Sequence, residues 1–178
     1  AAVSQPNLSL HKPKTFSSAI TRLKELNDSL LADGDFPAPI TVKYVEVIHG
    51  QGPSGHSHYY TAESYEANGG PDEHDEEMGG HDAEEETVKH RSVEVDLRTE
   101  LSDIVGWLPD IAAKENLDES QWNSVHLISD RLAEMLDAIP ADASDDSFRE
   151  SWRMKSKEIE PLLDELQTQV GASSGDAR

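Results

Sequence analysis

Residues 44–88 contain neither Lys nor Arg, yet they hold twelve Asp and Glu and five His. Carboxylates and imidazoles are the side chains that bind divalent metals. His56 and His58 stand two apart, just after Gly52, Pro53 and Gly55. In an extended segment their side chains leave on the same side, as a chelating pair requires. His74 and His81 flank Met78 inside the densest acidic run, residues 71–86. Neutral imidazole suits Zn²⁺ and Cu²⁺, and a thioether adds affinity for Cu⁺. The surrounding carboxylates raise the local cation concentration and offer acceptors for the free ring nitrogens. The candidate ligand set is therefore His56, His58, His74, His81 and Met78. His49 and His90 join it if the β-branched runs that carry them pair at the loop's mouth, and are otherwise exposed strand residues. The plain reading of the same composition is a solvated acidic loop in which the histidines are incidental. The EF-hand spacing of acids and glycine is absent, so a dedicated Ca²⁺ loop is not indicated.

Other chemistries find no residues to carry them. The chain has no Cys, which excludes disulfides, zinc–thiolate sites, iron–sulfur clusters and thiol nucleophiles. No phosphate-binding Gly-rich loop with Lys, no nucleophile elbow and no His-Glu-x-x-His occurs. No helix carries the Glu-x-x-His of a di-iron bundle. A non-enzymatic role follows as the expectation. The formal net charge of −21 repels nucleic acid and anionic lipid and favours divalent cations or a basic protein partner. No apolar run reaches the length of a membrane span. The start at Ala1-Ala2-Val3 and the absence of Cys fit an exported, periplasmic protein.

The elements that must position these residues are mostly helical. After a polar lead-in over 1–14, Phe16, Ala19, Ile20, Leu23, Leu26 and Leu30 form one face of a helix capped by Thr15 and ended by Asp33-Gly34-Asp35. Residues 40–48 are β-branched and read as a strand, and 87–95 as a second. The two either pair as a long-looped hairpin, or the second leads straight into the next helix. A second helix follows with Leu97, Leu101, Ile104, Val105, Leu108 and Ile111 on one face, a kink expected at Pro109 and Asn116 as C-cap. A third opens at Asp118 with Gln121 in a capping box and stops at Pro140. A fourth runs from Phe148 to Val170, with Lys155 as a gap in its apolar stripe and a kink or restart at Pro161. Trp107, Trp122 and Trp152 fall on or near these stripes, where core packing is the default and a partner groove lined by aromatics the alternative.

The pattern predicts a mainly α fold: an antiparallel four-helix bundle over 15–170, a hairpin-like insertion over 39–95 with a long acidic His-rich loop between helices 1 and 2, and a frayed tail over 171–178. The functional expectation is an exported helical protein binding Zn or Cu through that loop. The alternative is a structural or protein-interaction module whose loop is an acidic spacer.

Overall fold

The computed structural model describes residues 9–50, 55–67 and 86–175, without the side chains of 171–175. In chain order the elements are α1 (Phe16–Leu31), β1 (Ile40–His49), β2 (His56–Thr61), α2 (Ala62–Ala67), β3 (Glu86–Val95), α3 (Leu97–Ala113), α4 (Glu119–Asp137), α5 (Asp145–Met154) and α6 (Ser156–Gly175). They belong to two compact units. Ile40–Val95 lies in one, and Lys12–Pro39 with Asp96–Arg178 makes the other. No helix among the described residues is long and apolar enough to cross a membrane.

The helical unit is built from the stripes seen in the sequence. Thr15 caps α1 and exchanges hydrogen bonds with Ser18 in a capping box. The buried face of α1 is Phe16, Ala19, Ile20, Leu23, Leu26 and Leu30. Asp96 caps α3, and Asp118 with Gln121 caps α4 reciprocally. α1 packs on α3, α5 and α6, and α4 packs on α3 and α6. One core results, centred on Ile20, Leu101, Ile104, Leu108, Leu132, Trp152, Ile159 and Leu166. Trp152 is buried and donates its indole N–H to Asn27 Oδ1 at 2.9 Å, which satisfies both polar groups.

None of α1, α3 and α4 carries a basic residue in its last turn. A helix C-terminus exposes unpaired carbonyls at the negative end of its dipole, so donors must come from elsewhere. Arg149 donates to the carbonyls of Ser29, Gly34 and Asp35, and Arg153 to those of Leu30, Leu31 and Ala32, closing the end of α1. Arg98 does the same beyond α4, reaching Pro140, Ala141 and Ala143. A chain with only 15 Lys and Arg thus commits three arginines to helix ends.

The four-helix bundle expected from the sequence is not what the chain builds. The described residues form an α+β fold, with six helices and a three-stranded antiparallel sheet of order β2-β1-β3. Two differences account for this. First, the segment assigned to the loop supplies a strand and a short helix. His56-Ser-His-Tyr-Tyr-Thr61 has no aliphatic alternation to announce a strand, and it becomes one by pairing with β1. Second, the last helical stretch is two helices. α5 ends at Lys155, at the gap in the apolar stripe, and α6 restarts at Ser156. With no buried side chain at 155 to hold the turn, the backbone breaks there, ahead of Pro161, which α6 accommodates inside its length. α3 likewise carries Pro109 inside one continuous helix and ends at Lys114 rather than Asn116. The two β-branched runs do pair: β1 and β3 are antiparallel, Ile40 opposite Val95 through His49 opposite Glu86.

Candidate metal centre

Strand register decides which side chains share a face. Directly opposed residues of antiparallel strands lie on the same side, and alternate residues along a strand do too. His49 is opposed by His56 on β2 and by Glu86 on β3; Val47 by His58 and Val88; Val45 by Tyr60 and His90. One face therefore carries His49, His56, His58 and His90, with Glu86 at the same end as His49. The same alternation places Lys89 and Arg91 on the opposite face. There Arg91 is paired with Glu46 at 2.5 Å, and Ser57 donates to the same carboxylate. Among the strand residues of the histidine face the sole cation is Lys43, six residues from His49 and about 20 Å along the strand.

Three of the imidazoles come together. The ring centroids of His49 and His56 are 5.3 Å apart, those of His49 and His58 5.2 Å, and those of His56 and His58 5.2 Å. The triangle has a simple origin. His49 and His56 form the last pair before the 50–55 connection, and His58 is one alternation back on β2, diagonal to His49 across the small Val47. His56 and His58 are exposed and His49 is half-buried.

The size of this triangle can be compared with a metal site. A zinc–imidazole bond is about 2.0–2.1 Å, which puts the ion about 3.2 Å from each ring centre; tetrahedral angles then separate the ring centres by about 5.2 Å. The spacing of the rings is thus that of three ligands of one ion. Their rotation is not. Among the described residues no group of three or more His, Asp or Glu has its ligating atoms set to hold a metal. The rings meet at interplanar angles of 29°, 71° and 87°, and the χ2 torsion that sets such angles is broad for His. Spacing comes from the backbone register and is the harder condition to meet. Ring rotation is the easier one, because two of the three side chains are exposed.

His90 stands apart from this group. It is opposed to Val45, four residues from His49 and so about 13 Å further along the strand. Its ring meets Tyr65 of α2 edge-on at 6.4 Å, and Tyr65 also lies 6.4 Å from Tyr60. α2 follows β2 directly and is held at its start by Ser64 N–H donating to Thr61 Oγ1 at 3.0 Å. It packs against β1 and β2, and Val45 and Val47 of this face are buried. His74, Met78 and His81 lie outside the described residues. Tyr60, Tyr65 and Glu86 carry no signal of their own in the sequence, where aromatic and acidic residues are common: the register puts Tyr60 and Glu86 on the imidazole face, and ring contacts bring Tyr65 to it from α2.

A groove of the helical unit is the competing place for a ligand. It is lined by Phe36, Asp96, Arg98, Asp103, Asp137 and Phe148 among others. Its one cation, Arg98, is already engaged with the three carbonyls beyond α4 and stacked over Phe148 at 4.6 Å. That groove reads as helix packing. His126 on α4 pairs with Asp130 one turn on, at 3.3 Å, on an exposed surface where such pairs are commonplace.

Comparison of the chain with protein-family models, with curated proteins and with solved structures finds no match. The functional argument therefore rests on the residues alone.

Proposed function

We propose that this chain is a non-enzymatic binder of a divalent transition metal, Zn²⁺ or Cu²⁺, and that His49, His56 and His58 on the β1–β2 face form the centre of the site. The observation that carries the reading is the triangle of ring centres at 5.2–5.3 Å, the separation expected for three imidazoles around one ion. The electrostatics support it. Every basic strand residue near this end points to the other face, and the neighbouring residues 71–86 bring a dense run of carboxylates in sequence. In that run His74 and His81 offer further imidazole donors, and Met78 a soft thioether, for loading or for a second ion. Borderline metals are favoured over Ca²⁺ and Mg²⁺ because the centre is nitrogen, not oxygen.

The test is calorimetric titration of Zn²⁺ into the wild-type chain and into H49A/H56A/H58A, with metal content of the tag-free protein measured beside it. The expected result is one tight equivalent in the wild type that the triple variant lacks, with the helical circular dichroism unchanged. Equal uptake by the two proteins would refute the sheet site. Equal uptake that is also abolished by removing 68–85 would assign binding to the acidic run instead.

A further inference from the structure

Resting on that reading, we infer that Glu86 is the fourth ligand, so that the site is a closed His₃–carboxylate centre bonded to all three strands. Three neutral imidazoles leave a bound dication with its full charge of two. A carboxylate in the fourth position lowers that charge and completes the tetrahedron. Glu86 is the group placed to supply it. It is opposed to His49 in the β1–β3 register, and opposed residues have Cβ atoms about 4.5–5.5 Å apart on the same face. It is exposed, and the register sets it at the end of the sheet that carries the histidine triangle. No Lys or Arg of the strands lies there to pair with it, since Lys89 and Arg91 project to the other side. The other donors of this face are worse placed: His90 is about 13 Å along the strand, and Tyr60 lies in the same row as His90.

Two consequences follow from a fourth protein ligand. The ion has no open position for a water nucleophile, so the centre holds metal rather than hydrolysing anything. The ion also ties β2 through His56 and His58, β1 through His49 and β3 through Glu86. Such an ion would cross-link the three strands, and metal binding to the folded form adds directly to its stability.

The experiment compares Zn²⁺ affinity, by competition with a chromophoric chelator, in the wild type, E86Q, E86H, E85Q and H49A/H56A/H58A. Co²⁺ spectra of the same proteins report the coordination number. E86Q is expected to bind Zn²⁺ at least about tenfold more weakly, with the intense visible Co²⁺ bands of a four-coordinate site reduced as water enters. E86H, which restores a donor, is expected to recover both. E85Q removes the same charge one residue away and is expected to change affinity less than about threefold, the effect of charge alone at a screened surface. If E86Q binds as the wild type does, or E85Q loses as much as E86Q, Glu86 is not a ligand, while the three-histidine site stands. If the wild type binds no better than the triple histidine variant, the metal reading itself fails and takes this inference with it.

Discussion

Glu100 is the most telling charge in the helical unit, and a double-mutant cycle on it tests how that unit is held. Its side chain is 4% exposed, and both carboxylate oxygens are taken by Arg22: Nε at 2.5 Å and Nη2 at 3.0 Å. Arg22 reaches in from α1 to α3 with its own side chain 34% exposed. The pairing with Glu100 is the main cause holding the Arg22 guanidinium above its ordinary range. A base whose folded pKa is raised contributes in full below its unfolded value and loses that contribution only above it. Arg22 is thus fully charged at every working pH. Replacing Arg22 by Met preserves helix propensity and most of the stem but strands a buried carboxylate. Removing one partner of a buried pair costs about 3–5 kcal/mol, and water access on the Arg22 side places this case near about 3 kcal/mol. E100L frees Arg22, itself partly exposed, to turn to water, and is expected to cost about 1–2 kcal/mol. In R22M/E100L the stranded charge is gone, so the double variant is expected within about 1 kcal/mol of wild type, since apolar replacement of a buried pair is commonly neutral. The coupling between the two positions is then about 2 kcal/mol or more. Urea unfolding followed by tryptophan fluorescence measures it cleanly, because Trp107, Trp122 and Trp152 all lie in the helical unit. If R22M costs less than about 1 kcal/mol and the cycle is additive within about 0.5 kcal/mol, the pair behaves as a surface salt bridge and the reasoning is wrong.

Three further outcomes are expected. W152F leaves Asn27 Oδ1 buried without its donor and opens space in the core, and should lower the stability of the helical unit by about 2–4 kcal/mol in the same urea assay. R149L removes the donors to Ser29, Gly34 and Asp35 carbonyls, and should cost about 1–3 kcal/mol and hasten proteolysis at 31–36, whereas R131L, which removes the exposed pairs with Glu134 and Glu158, should leave the urea midpoint almost unchanged. Zn²⁺ should bind the wild type far more tightly than Ca²⁺ or Mg²⁺ does, because the centre is nitrogen; equal affinities by calorimetry would leave only carboxylates as ligands.

Local rules written in the chain determined most of the helical unit. The 3.6-residue apolar stripes, Thr15, Asp96 and Asp118 at helix starts, and the Gln121 capping box act within one or two turns, so they are legible without knowing what packs on what. The His-x-His spacing was legible for the same reason: alternation within one extended segment puts His56 and His58 on one side. Tertiary structure decided the rest. β2 has little strand character of its own and exists because β1 offers it a partner, so a segment that reads as loop becomes the edge of a sheet. The break at Lys155 reflects a missing contact rather than the proline that follows. The arginines that close α1 and α4 come from positions more than 40 residues away in sequence, and no local pattern announces them. The gathering of His49 with His56 and His58, the separation of His90 from them and the placing of Glu86 beside His49 all depend on strand register. A shift of one residue would send every one of these side chains to the other face, which is why the composition of residues 44–88 suggests a metal while only the pairing of three strands says where it would sit.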